Sequence, residues 1–195
     1  MNLYKIKKGR HAARPLMLRI RCNPFGIYGN FRGHWQARLG DGWIYELPTN
    51  HNQWNKLCGD SFRLIDSSRQ AVMLGVRHNE IYGLTEVSPY YNIGGNYVYY
   101  EAAGRPDDWP LVEVLPGQLI DFQYIVGPNN WVQTRIELPD IGRVEWHKIR
   151  HPAAGGSWFS REVNLWFGGT QPAPHDVTVW KKRIRGGYQF SIPKP

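Results

Sequence analysis

Hydrophobic and polar positions along this chain alternate with a period of two, in short stretches broken by Gly, Pro, Asn and Asp. Leu16, Leu18, Ile20 and Cys22 fall on one side of an extended segment, and Met17, Arg19 and Arg21 on the other. That is the pattern of a half-buried strand. Further strands are predicted at 35–39, 43–47, 61–65, 71–77, 84–91, 97–102, 119–126, 131–138, 143–149, 162–167 and 177–184. Gly40-Asp41-Gly42 reads as a hairpin turn between the first two of these. Asp66-Ser67-Ser68, Pro116-Gly117, Gly127-Pro128-Asn129-Asn130 and Pro172-Ala173-Pro174 supply turn chemistry between later ones. Roughly a dozen short strands with no long amphipathic helix predict an all-β fold. The expectation is a two-sheet antiparallel β-sandwich of the jelly-roll kind. Val72, Leu74 and Val76 are expected to face its core, as are Val163, Leu165 and Phe167, and Gly75 and Gly168 are expected not to tolerate Val.

The chain has 195 residues, which suits one domain. Its expected division is a basic N-terminal arm (1–15), a single sandwich (16–185) and a C-terminal tail (186–195). Nine Trp and eleven Tyr exclude a disordered chain. No apolar run approaches the ~20 residues of a helical membrane span. The first ten residues carry charge with no apolar core after it, so no secretory signal is read there. The expectation is synthesis in the cytoplasm, with association to a virion as an extension of it. Cys22 and Cys58 are either bridged or packed as separate buried thiols, and the sequence does not decide between these.

Charge is unevenly distributed. Residues 1–40 contain nine Lys and Arg and no acid, residues 177–195 contain five and no acid, and the middle is net negative. If the terminal strands lie side by side, Lys5, Lys7, Lys8, Arg10 and Arg14 join Lys181, Lys182 and Arg183 in one anion- or partner-binding region.

Two stretches carry a resemblance: His51 to Phe62 followed by Val72 to Arg77, and Leu165-Trp166-Phe167-Gly168-Gly169-Thr170-Gln171-Pro172-Ala173-Pro174-His175-Asp176 leading into Val177. The second resembles the closing strands of concanavalin A-like lectin and glucanase jelly rolls. The order of elements over 16–184 is similar to small lectin-like proteins of bacteria and their phages. The resemblance implies the sandwich fold and makes sugar binding, or a place on a virion surface, an expectation. Activities on this fold are diverse, so function has to come from a site.

Sugar binding needs a flat aromatic platform beside hydrogen-bonding groups. Trp109, Trp131 and Trp158 stand in loop-like contexts, as does Trp54, and Arg77, Tyr90 and His175 could supply polar contacts. A polysaccharide lyase is the alternative; it needs a group to neutralise the substrate carboxylate and a His or Tyr base, which Arg77-His78-Asn79 and Tyr90-Tyr91 could provide. Paired carboxylates at glycosidase spacing are missing, and Asp107-Asp108 would face opposite sides of a strand. His147 and His151 have a zinc-like spacing but lie in a strand that ends at Pro152, so they read as surface histidines and neither metal nor cofactor is expected. Nucleic acid is a weaker candidate partner, since the aromatics sit at core spacing. A structural assembly protein with basic arms is the third class. The leading expectation is a non-catalytic glycan-binding or attachment module whose partner is a glycan or acidic polymer.

Overall fold

A computed structural model describes residues 1–13, 20–22, 31–48, 53–63, 69–127, 130–152, 159–168 and 170–185. It is an antiparallel two-sheet β-sandwich. Its strands are β1 (Asn2–Ile6), β2 (Ile20–Cys22), β3 (Arg32–Leu39), β4 (Asn55–Ser61), β5 (Gln70–Asn79), β6 (Leu84–Ile93), β7 (Asn96–Val98), β8 (Val112–Val114), β9 (Leu119–Val126), β10 (Trp131–Leu138), β11 (Arg143–Arg150), β12 (Phe159–Glu162) and β13 (Val177–Arg183). One sheet has six strands in the order β1-β13-β3-β9-β10-β11. The other has seven, β2-β12-β4-β5-β6-β7, with β8 also on the outer edge of β6. Among the described residues no helix is long and apolar enough to cross a membrane.

Alternation explains the two layers. Ile6, Val177, Val179, Trp35, Ala37, Leu39, Ile120, Phe122, Tyr124, Val132 and Ile136 point from the six-stranded sheet into the core. Val72, Leu74, Val76, Val87 and Tyr91 meet them from the seven-stranded sheet, as predicted for the β5 residues. Burying such side chains stabilises by about 1.5–3 kcal/mol each. Leu165 and Phe167 also enter this core, but Val163 does not: it packs on the opposite face of the seven-stranded sheet with Trp54, Ala71, Met73 and Tyr90.

Two local expectations are corrected. Residues 2–6, read as part of an arm, form an edge strand in which Tyr4 and Ile6 are buried. The basic residues between these apolar positions masked a period-two pattern. The hairpin at 35–47 does not form either. Asp41–Trp43 is a 3-10 turn, and 44–47 is not strand. β3 is already flanked by β13 and β9, so a returning strand has no free edge to pair with. Trp43, Tyr45 and Leu47 are buried without joining a ladder, and the Trp43 indole N–H donates to the Thr178 carbonyl at 3.0 Å.

Cys58 is a free buried thiol, so it forms no bridge, and burial pushes its pKa up to about 12. The side chain of Cys22 lies outside the described residues.

Candidate functional site

The outer face of the seven-stranded sheet gathers residues that are distant in sequence. Pairing places them in rows. Arg161, Ser61, Ala71, Asn92 and Tyr97 make one row across β12, β4, β5, β6 and β7. Gly59, Met73 and Tyr90 make the next. Trp166, Lys56, Gly75 and Ser88 follow, with Trp166 bridged to Lys56 through reciprocal 2.9 Å backbone hydrogen bonds. Arg77 and Glu86 make a fourth.

Part of this face is closed. Gly75 lacks a side chain, and the Trp54 indole lies over it; a Cβ there would fall 2.9 Å from the indole and 3.2 Å from Tyr90. The Arg77 guanidinium sits 4.6 Å from the Trp54 ring centre. It donates to Glu86 at 2.7 Å and to Glu101, whose other oxygen accepts the Trp54 indole N–H at 2.8 Å. Glu101 comes from the segment between β7 and β8, which lies across this end of the sheet. Tyr90 and Tyr99 stack at 5.4 Å and 5°.

The rest is open. A groove of about 300 Å³ is lined by Lys56, Arg161, Glu162, Val163, Asn164 and Trp166. Val163 joins its base to the aromatic cluster. Trp166 forms a wall that is 39% exposed. Its orientation is fixed twice: it stacks on His11 at 5.4 Å and 15°, and its indole N–H donates to the Gly168 carbonyl at 2.7 Å. The strained corner behind it requires Gly168, whose φ is +60° and where a Cβ would fall 1.6 Å from the Gln53 amide. The Lys56 ammonium reaches to 5.7 Å from the exposed Tyr97 ring. Chemically this is a rigid aromatic plate beside an amide and two cations.

The sequence-predicted site residues separate. Arg77 and Tyr90 do share the outer face, but both are buried, and burial raises the pKa of the Tyr90 phenol with help from Tyr97 and Tyr99. Trp109 is not a platform: it is 6% exposed, packs on Tyr91 and His147, and donates to Ser88 at 3.0 Å. It plugs the edge of the sandwich beside β6. Trp131 is 36% exposed, but on the other sheet, beneath the Lys148 ammonium. His175 is half-buried and its Nε2–H donates to the Gly42 carbonyl at 2.9 Å, which makes it part of the corner before β13. Trp158 and Arg14 lie outside the described residues.

The lyase trio does not converge. Arg77 faces outward with its charge engaged by two carboxylates, whereas His78 points inward, against Tyr45. His147 and His151 are buried rather than on the surface; His147 bonds the Tyr91 hydroxyl at 2.8 Å, and burial holds its pKa at about 4. No group of three or more potential metal ligands occurs among the described residues.

The terminal strands do pair, Asn2 with Lys181 through Ile6 with Val177. Their charges, however, do not add up to one patch. Lys181 is 3% exposed, points into the sandwich and lies 3.9 Å from Glu162; burial lowers its pKa. Arg183 donates to both oxygens of buried Asp60, at 3.0 and 2.8 Å. Lys5 and Lys7 reach Asp176 at 2.6 and 3.5 Å. Lys8, Arg10 and Lys182 are exposed. Parity decides this: β13 alternates, so Lys181 and Arg183 share the inward side with Val177 and Val179.

Sequence reasoning missed Trp166, Asn164, Lys56 and Arg161. The signal for two of them was present. If Leu165 and Phe167 face inward, Asn164 and Trp166 face outward, and a Trp on the polar side of an alternation needs a reason.

No protein-family model matches this sequence, and no curated protein matches it. Among solved structures, the chain is similar to the enzymatically active domain of tailspike protein 2 of bacteriophage CBA120, at 10% identity and a TM-score of 0.42, over 95% of this chain and 28% of that one. It is also similar to the CBM2 module of the evolved Dit of Lactobacillus casei BL23 phage J-1, at 8% identity and a TM-score of 0.47, over 95% and 77% of the two chains. Winged bean acidic lectin, complexed with methyl-α-D-galactose, matches at 6% identity and a TM-score of 0.42, over 94% of this chain and all of the lectin. The chain thus spans little more than a quarter of the tailspike domain's length. These likenesses concern fold.

Proposed function

We propose that this domain binds a glycan in the groove beside Trp166, as a non-catalytic attachment module. The carrying observation is the fixed, half-exposed Trp166 indole next to Asn164, Lys56 and Arg161. A sugar ring stacks its C–H face on an aromatic plate and satisfies its hydroxyls with amide and charged donors around it. Both His11 and the Gly168 carbonyl hold the plate before any ligand arrives, so little side-chain entropy is lost on binding. A glycan array with the intact chain and two variants tests this. Trp166→Ala is expected to lose retention with its fold intact, and Trp131→Ala, on the opposite sheet, is expected to keep it. Retention that survives Trp166→Ala but not Trp131→Ala overturns the assignment.

The setting proposed for this binding is a virion surface or decoration protein, which the sequence resemblance to lectin-like proteins of bacteria and their phages supports. Mass spectrometry of purified particles tests that part separately. A chain absent from the particles removes the virion setting and leaves the groove untouched.

A further inference from the structure

We infer that the groove takes an acidic sugar, bearing a carboxylate or a sulfate ester, with Arg161 as its anion-binding group; this rests on reading the groove as a glycan site. The motive is a contrast among arginines. Each other buried or half-buried arginine of the described residues has a carboxylate within 4 Å: Arg38 has Asp140, Arg77 has Glu86 and Glu101, Arg135 has Glu137, and Arg183 has Asp60. Arg161, also half-buried, has no such carboxylate among the described residues, and its Nε is buried with no hydrogen-bond partner among them. A buried N–H left unsatisfied costs about 1–3 kcal/mol, more on a charged group. The side chain as a whole is half-buried and lines the groove, so an anion seated there would pair with a charge that no described carboxylate neutralises.

The acids near the groove are already committed. Glu162 lines it, but its carboxylate lies 3.9 Å from both Lys181 and Arg183, on the interior side. Glu86 and Glu101 are held by Arg77. The groove therefore presents the charge of Arg161, and among the described residues that line it the one carboxylate, Glu162, is already engaged. A guanidinium offers paired donors that match either a carboxylate or a sulfate, and such charge-assisted bonds are about twice as strong as neutral ones. Trp166 gives the sugar ring its plate, and Arg161 fixes which substituent faces the floor.

The test measures binding of the purified chain to polygalacturonate, dextran sulfate and neutral dextran at one ionic strength, with Arg161→Gln, Arg161→Lys and Arg150→Gln as variants. Arg150 is exposed at the end of β11 on the other sheet and controls for charge alone. Binding to one or both acidic polymers is expected, and polygalacturonate against dextran sulfate tells carboxylate from sulfate. Arg161→Gln is expected to weaken that binding by about tenfold or more, Arg161→Lys by less, and Arg150→Gln hardly at all. Unchanged melting temperatures show that the variants are folded. Equal losses from Arg161→Gln and Arg150→Gln overturn the inference, because the attraction is then diffuse. Retention of neutral dextran alone, through Trp166, also overturns it but leaves the glycan reading standing. Retention of none of the three removes the acidic-sugar inference, and the wider glycan array then decides the reading beneath it.

Discussion

The two sheets differ in how they pair the charges on their outer faces. On the six-stranded sheet, His34 Nε2 donates to Asp121 at 2.7 Å, and Gln36 and Gln123 donate to the same carboxylate at 3.0 and 2.8 Å. Burial opposes the charge on Asp121, but these donors outweigh it and hold its pKa below the ordinary value. Arg135 pairs with Glu137 at 2.6 Å and lies 5.6 Å from the Trp146 ring centre. Most charges on that face are met by their own neighbours, although Gln123 Oε1 has no hydrogen-bond partner among the described residues and Trp131 and Trp180 are 36% and 40% exposed. On the seven-stranded sheet the same pairing of charges holds under the segment that carries Glu101. Beyond it, over β4 and β12, the Arg161 Nε lacks an acceptor among the described residues, beside the half-bare Trp166 indole. Both faces arise from the same period-two pattern. What separates Arg135 from Arg161 is whether a neighbour supplies the complementary charge, and the place where none does is where a ligand has something to add.

The largest test of this contrast sets a paired arginine against the unpaired one. Asp60→Ala leaves Arg183 in the interior without its bidentate acceptor. Breaking a buried pair from one side costs about 3–5 kcal/mol, so denaturant unfolding is expected to show a loss of that size. Arg161→Met removes a group with nothing to lose and is expected to change stability by less than about 1 kcal/mol, in either direction. A loss at Arg161 comparable to that at Asp60 would mean that Arg161 is structural, and the contrast between the faces would fail.

Next in size is Gly75→Val. The added side chain has to displace Trp54 from the sheet, and overpacking of this kind costs about 1–3 kcal/mol. The melting temperature is expected to drop, with near-ultraviolet dichroism reporting a displaced indole. A melting temperature equal to the parent's would show that Trp54 does not depend on the space above Gly75.

Much of the fold was legible because burial repeats locally. β9, β10, β11 and β13 lie within a residue or so of the stretches predicted from alternation. β1 was hidden because Lys5, Lys7 and Lys8 dominate a segment whose apolar signal is only Leu3, Tyr4 and Ile6. The false hairpin at 40–42 followed local turn chemistry that was overruled by a distant fact, the occupation of both β3 edges. The site was less legible for the same reason. Lys56, Arg161 and Trp166 meet only through β4's pairings with β12 and with the bridge at Trp166, and the segment around 109 gave no sign that its indole fills an edge. Exposed aromatics were sought in loops, where sequence context suggested them, and the useful one lay on the outward side of a chain segment next to the core.

A smaller effect distinguishes the interior from either face by pH. His147 points into the sandwich from β11, and burial holds its pKa at about 4 against an unfolded value near 6.5. The unfolded chain therefore binds a proton between these values while the folded one does not. Stability from this group is full above the unfolded pKa and falls as pH drops toward about 4, by about 1 kcal/mol midway once partial solvation is allowed for. His147→Phe is expected to flatten that stretch of the stability curve, with Tyr91 keeping its 3.0 Å bond to Thr134. A variant whose curve keeps the parent's slope would place the proton uptake elsewhere.

The smallest expected effect lies at the edge where the chain ends meet, and it separates the groove from the terminal charges as the source of anion binding. Asp176, just before β13, accepts from Lys5 Nζ at 2.6 Å and from the Lys8 backbone N–H at 2.9 Å, and Lys7 lies at 3.5 Å. These contacts, the Lys5 bond first, hold its carboxyl at about 2. The contribution is present above the ordinary carboxylate pKa and is lost as pH falls from there toward about 2, a window below that of His147. All three partners are solvent-exposed or half-exposed, and exposed pairs contribute little to stability. Asp176→Asn preserves the shape and removes the charge that offsets Lys5 and Lys7. The melting temperature at neutral pH is expected to stay close to the parent's, while retention on a cation exchanger increases because the β1–β13 edge gains positive charge. Binding to an acidic polysaccharide is expected not to follow that increase if Arg161 selects the ligand. Affinity that rises with Asp176→Asn as much as it falls with Arg161→Gln would move the anion site from the sheet face to the paired termini, and the outer face of the seven-stranded sheet would then need another occupant.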